Sequence, residues 1–100
     1  MTANHIKEKF QEILNSLYTD FEVIVASVED IDGEGWMIAY NGKEFLEKGT
    51  PATMLLGNNP VIVDLDGNLF ETGYGESEEE DIQLFRDGKL PKWWDKTLEQ

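Results

Sequence analysis

Short runs of β-branched and aromatic residues, broken by tight glycine-bearing turns, constrain this chain more than any other feature. The runs are 21–28 (FEVIVASV), 36–40 (WMIAY), 43–47 (KEFLE), 61–65 (VIVDL) and 68–73 (NLFETG). Residues of these types suit a half-buried pleated surface. Asn41-Gly42 and Asp66-Gly67 are strong two-residue hairpin signals, because both members of each pair tolerate positive φ. Residues 29–35 (EDIDGEG), with two glycines and four acids, read as an exposed turn between the first two runs. Parallel neighbours need a crossover of a dozen or more residues. Connections this short therefore predict antiparallel pairing.

Two helices complete the pattern. Ile6, Phe10, Ile13, Leu14 and Leu17 recur at helical spacing over residues 4–18, with Lys7, Glu8, Lys9, Gln11 and Glu12 on the other face. Thr2 or Asn4 is placed to cap the start. Residues 76–86 (ESEEEDIQLFR) read as a second helix. Carboxylates crowd its first turn, where the helix dipole favours them, Ile82, Leu84 and Phe85 give it an apolar side, and Gly88 ends it. Between hairpins, residues 49–59 read as a connector in which Pro51 opens one helical turn and Gly57 stops it, and Pro60 starts the next strand. The order predicts an α+β two-layer domain: an N-terminal helix and a C-terminal helix packed on one face of an antiparallel sheet of about five strands. A length of 100 residues supports a single domain, 1–100. Its core is expected over about 4–86, with 87–100 as a C-terminal tail.

Charge narrows the function. Eight Lys and Arg face 21 Asp and Glu, a formal net charge of −13. A phosphate backbone or an anionic bilayer repels such a surface, so neither nucleic acid nor membrane is an expected partner. A basic protein is the partner that such a field steers. The plain alternative is that the charge serves solubility alone. The absence of cysteine excludes disulfides, thiolate metal sites and a thiol nucleophile. No metal or other cofactor is expected. The opening MTANHIKEKFQEIL carries charges where a signal peptide has an apolar run, and no stretch approaches the roughly 20 apolar residues that span a bilayer. The cytoplasm is the expected location.

Signals for catalysis are weak. Ser16, Ser27 and Ser77 lack a nucleophile-elbow context. His5, the one histidine, falls at the start of the first helix and reads as a solvated end residue. Residues 64–68 (DLDGN) resemble a calcium loop only superficially: counted from Asp64, glycine falls at position 4 and position 12 is Gly75. The calcium loop needs glycine at 6 and a bidentate Glu at 12. Gly73-Tyr74-Gly75 lacks the third glycine of a phosphate cradle. Asp64 and Glu71 are the only tempting acid–base pair. No enzymatic activity is expected.

The remaining candidates concern a protein partner. The acidic turn (Glu29, Asp30, Asp32, Glu34) and the acidic run (Glu76, Glu78, Glu79, Glu80, Asp81) are either solvated faces or a patch that docks onto Lys and Arg. Trp36 opens a strand among apolar residues and reads as core. Trp93 and Trp94 are adjacent in the tail. In an extended chain their rings face opposite ways, so that one packs and the other is left as a binding hot spot, unless both pack on the domain.

The order of motifs resembles a known family. The stretch Glu34-Gly35-Trp36-Met37-Ile38-Ala39-Tyr40, followed by Phe45-Leu46-Glu47-Lys48-Gly49, is similar to the glycine–tryptophan strand and hairpin of the immunity protein 35 family (YrhB-like domains). Leu56-Gly57-Asn58-Asn59-Pro60-Val61-Ile62-Val63-Asp64, then Asp66-Gly67 and Phe70-Glu71-Thr72-Gly73, resembles its second hairpin. The resemblance covers about residues 31–86. It departs at Tyr74-Gly75, where many relatives carry a small residue, and it leaves Trp93-Trp94 outside. The resemblance implies a non-enzymatic protein, encoded beside a polymorphic toxin, that binds and neutralises a cognate toxin domain in the producer's own cytoplasm, and the charge balance makes a basic toxin the expected partner. The acidic turn, the acidic run and the two tail tryptophans are the contacts expected. A non-toxin adaptor or dimerisation module is the alternative.

Overall fold

Every pair of neighbouring strands in the sheet is also consecutive in the chain. The computed structural model describes residues 2–55 and 59–98. Its elements run α1 (Ala3–Leu17), β1 (Val23–Asp30), β2 (Gly35–Gly42), α2 (Lys43–Lys48), a 3₁₀ turn (Pro51–Thr53), β3 (Val61–Asp64), β4 (Asn68–Glu71), α3 (Glu78–Arg86) and β5 (Lys92–Thr97). The five strands pair antiparallel in the order β1-β2-β3-β4-β5. This is the expected α+β class, with helices packed on an antiparallel sheet.

Turn chemistry sets the two hairpins. Asp32 and Gly33 both take positive φ, 47° and 76°, as a two-residue type I′ turn requires. The Glu34 N–H closes that turn on the Ile31 carbonyl at 2.8 Å. At the β3–β4 turn, the Asp64 carboxylate accepts the N–H groups of Asp66 and Asn68, both at 2.9 Å. Asp64 is therefore a turn cap.

The helices divide between the two faces of the sheet instead of sharing one. Ile6, Phe10 and Leu14 of α1 are fully buried against Val23, Val25, Ile38, Tyr40, Val61 and Val63. Met37 and Ile62 point the opposite way and pack with Ile31, Leu90 and, from α3, Ile82, Leu84 and Phe85. The signal for this lies in the middle strands. Val61, Ile62 and Val63 are all buried, a continuous apolar run that requires cover on both sides. Gln11 of α1 also reaches the outer strand. Its side chain donates to the Val23 carbonyl at 2.7 Å and accepts the Val25 N–H at 3.0 Å, satisfying backbone groups along β1.

Two expected elements differ. Asn41-Gly42 is not a hairpin turn, and 43–47 is not a strand. Gly42 has φ −59° and ends β2 opposite Val23, and Lys43–Lys48 forms a short helix stopped by Gly49 at φ 70°. Gly42 is needed for close approach instead: a Cβ there would lie 1.9 Å from the Thr53 carbonyl oxygen. The Asn41 side chain fixes the same contact by accepting the Leu55 N–H at 2.8 Å. Pro51 does open one helical turn. Gly57, expected to stop it, lies outside the described residues, as do Leu56 and Asn58. The expected tail is the other difference. Lys92–Thr97 is the fifth strand, and Leu90, Trp93 and Leu98 are buried core residues.

Candidate partner-binding surface

The end of β1 and the β1–β2 turn lie alongside α3. Glu29, Asp30 and Asp32 from the one, and Glu78, Glu79 and Glu80 from the other, line an open groove of about 710 Å³. Ile31, Met37 and Ile82 also line it, so the acidic walls flank apolar side chains. The two acidic stretches thus form one surface. All six of the lining carboxylates belong to exposed residues.

Arg86, the chain's one arginine, holds the two walls together. Its Nη2 donates to Asp32 at 2.8 Å and its Nε to Glu34 at 3.0 Å. Chiefly the hydrogen bond to Glu34, with Asp32 adding, pushes the guanidinium above its ordinary value, so it stays charged. Sequence reasoning missed this residue. The available signal was a lone cation closing a helix that begins in carboxylates.

The carboxylates are not equivalent. Asp81 is removed from the expected docking set: it is buried, and it accepts the N–H groups of Gly73, Tyr74 and Gly75 at 3.1, 3.1 and 2.9 Å. It pins the loop that leads from β4 into α3. The Ser77 hydroxyl caps α3 by accepting the Glu80 N–H, and the Glu80 carboxylate accepts the N–H of Glu76 just ahead of that cap. Asp30 braces the hairpin turn through the Gly33 N–H at 3.2 Å. Glu76 is exposed beside the groove rather than in it. Glu29, Glu78 and Glu79 carry the groove's charge without such a bond.

The two tail tryptophans separate. Trp93 is 5% exposed and packs against Phe10 and Tyr40. Trp94 is 54% exposed and takes φ 52°, a left-handed conformation that is uncommon for a bulky residue. Its ring stacks on Trp93, centroids 5.7 Å apart. The rings do not face opposite ways, because pairing with β4 is irregular between Asn68 and Phe70 and the strand bulges there. Trp36 is half-buried and packs against the core.

The candidate acid–base pair is not a pair. Glu71 lies across from Val61 in the ladder, while Asp64 closes the hairpin three residues further on. That spacing is about 10 Å, and the alternation of β3 puts the two on opposite faces. Asp64 is engaged by backbone N–H groups, and Glu71 accepts the Tyr74 hydroxyl at 2.8 Å. The bond to Glu71 pushes the Tyr74 phenol up. Among the described residues no group of three acidic or histidine side chains could hold a metal ion, and no helix is long and apolar enough to cross a membrane.

Comparison with known proteins agrees with the motifs. The family model described as Immunity protein 35 matches residues 5–79, from α1 into the first turn of α3. Over 61 residues the chain is 34% identical to the uncharacterized protein YrhB of Escherichia coli (strain K12), an alignment covering 60% of this chain and 65% of that relative. The chain therefore spans a little under two thirds of that relative's length. No solved structure matches significantly. β5, with Trp93 and Trp94, lies beyond the matched stretch. Since the match extends over well more than half of its length, the chain belongs to the immunity protein 35 family.

Proposed function

We propose that this protein binds and neutralises a cognate bacterial toxin domain in the cytoplasm of the cell that makes both, docking through the acidic groove between the β1–β2 turn and α3. One observation carries the reading: two acidic stretches distant in sequence converge on one groove with apolar side chains among its lining. A net charge of −13 attracts a basic partner from a distance. The groove then offers exposed carboxylates to Lys and Arg, and apolar area to exclude water. A toxin with a basic cleft would be masked there, or blocked sterically.

A protein–protein interface of ordinary size buries about 800 Å² on each partner. That is more than a groove of this kind supplies, so the contact extends onto neighbouring exposed residues such as Tyr74. The family supports a non-enzymatic role, and the separation of Asp64 from Glu71 fits it.

The test is the triple variant Glu29→Gln, Glu78→Gln, Glu79→Gln, which leaves the Arg86 and Asp81 contacts in place. Affinity for the toxin domain encoded beside this protein should fall at least about tenfold, or ~1.4 kcal/mol, mostly through slower association. Protection on co-expression should weaken with it. Unchanged affinity would remove the groove from the interface. Absence of any binding by the wild type would favour the adaptor reading.

A further inference from the structure

Tyr18, Tyr40, Trp93, Trp94 and Glu71 line a second pocket, of about 200 Å³, bounded by Pro60. That volume suits one side chain rather than a drug-sized ligand. Its walls are rings. Tyr18 and Tyr40 lie 6.5 Å apart, Tyr40 meets Trp93 edge-on at 6.2 Å, and the exposed Trp94 stacks on Trp93. Burial pushes the Tyr40 phenol well up, with Tyr18 and the nearby Glu71 charge adding, so that phenol stays neutral. Among the described residues, the one formal charge lining the pocket is the Glu71 carboxylate, oriented by the Tyr74 hydroxyl at 2.8 Å. A carboxylate has about four acceptor sites and one phenol fills only one of them.

Aromatic faces with one carboxylate select a cation. An anion would meet Glu71, and a neutral apolar group would desolvate it without compensation. A cation gains from the π faces and from the carboxylate together. The backbone holds Trp94 in a left-handed conformation with its ring exposed, at the edge strand. Strain of this kind persists where the surroundings enforce it and concentrates at binding sites.

We propose that this aromatic pocket receives one Lys or Arg side chain of the protein partner, with the cation over Trp94 and directed at Glu71. Arg fits better, because a guanidinium stacks on a ring and donates to a carboxylate at once. The proposal rests on the reading that the partner is a basic protein, and it extends that reading. A further depression links the two sites: it shares Met37, Ser77 and Glu78 with the acidic groove, and Asn59, Pro60 and Thr72 with the aromatic pocket. One partner can therefore engage both.

The test needs no toxin. Arginine amide is titrated into the protein at constant ionic strength while the indole N–H signals of Trp93 and Trp94 are followed by NMR. Citrulline amide, which keeps the α-amino group but replaces the guanidinium by an uncharged urea, is the control. A saturable shift in the millimolar range is expected for arginine amide alone, and it should be lost in Glu71→Gln and in Trp94→Gly. Glutamine retains an acceptor for Tyr74, and glycine suits the positive φ, so both variants should keep the wild-type melting temperature. Equal response to both amides, no saturable response, or an unchanged response in Glu71→Gln would overturn the proposal. If arginine amide binds but the toxin does not, the pocket stands and the toxin reading falls.

Discussion

Arg86 and Asp32, 54 residues apart in the chain, meet at 2.8 Å across the mouth of the acidic groove. The pair fastens α3 to the β1–β2 turn and places a positive charge among the carboxylates of the groove. Removing it should have opposite effects on stability and on binding rate. In Arg86→Ala, thermal stability falls slightly, and the loss shrinks as salt rises, because the pair is solvent-screened. Association with a basic partner speeds up, because the groove becomes more negative. Stopped-flow association at low salt reads the second effect; slower association would mean that Arg86 organises the docking surface more than it opposes it.

Asp81 looks like its acidic neighbours in the sequence but works inward. Its carboxylate accepts three backbone N–H groups from the Gly73–Gly75 loop. Asp81→Ala leaves those donors without their acceptor and should destabilise the protein by about 2–3 kcal/mol. Glu79→Ala should have little effect. Urea unfolding at neutral pH compares the two, and equal stabilities would contradict the inward role.

The adjacent tryptophans should behave as different kinds of residue. Trp93→Ala empties a site in the aromatic core and should cost about 3–5 kcal/mol. Trp94→Gly should stay within about 1 kcal/mol of wild type, since relief of the left-handed backbone offsets the lost stacking. Denaturation of the two variants decides this, and a large loss in Trp94→Gly would make that ring structural.

Tyr40 predicts behaviour at alkaline pH. Burial raises its folded value, so the fold accepts only the neutral phenol. In the unfolded chain it ionises near pH ~10. Its contribution is therefore fully present below pH ~10 and is lost as pH rises from there toward the higher folded value. Tyr40→Phe should lose stability less steeply than wild type over that range. Parallel curves would assign the alkaline loss to other groups.

Much of the fold was legible because local signals matched their surroundings. α1 follows from one apolar stripe, and the Asp66-Gly67 turn from side-chain chemistry at Asp64. Asn41-Gly42 misled because turn preference is local, whereas the use of Gly42 is set by the Thr53 carbonyl in another segment. β5 was hidden because Lys, Asp and Thr surround its two adjacent tryptophans and leave no alternating apolar pattern, as suits an edge strand. At the candidate site, the charge was visible but its division of labour was not. Nothing in a run of five acids distinguishes Asp81 from Glu79, and nothing local brings Arg86 to Asp32. Glu71 and Tyr18 became pocket walls only through strand order.

The most direct test of the account is calorimetry, at low and at physiological salt, between this protein and the toxin domain proposed to be encoded beside it. Nanomolar binding that weakens with salt, and weakens again in the Glu29, Glu78 and Glu79 glutamine variant, is the expected result. Tight binding indifferent to both salt and that variant would contradict the acidic groove as the docking surface, and no binding at micromolar concentration would contradict toxin neutralisation itself.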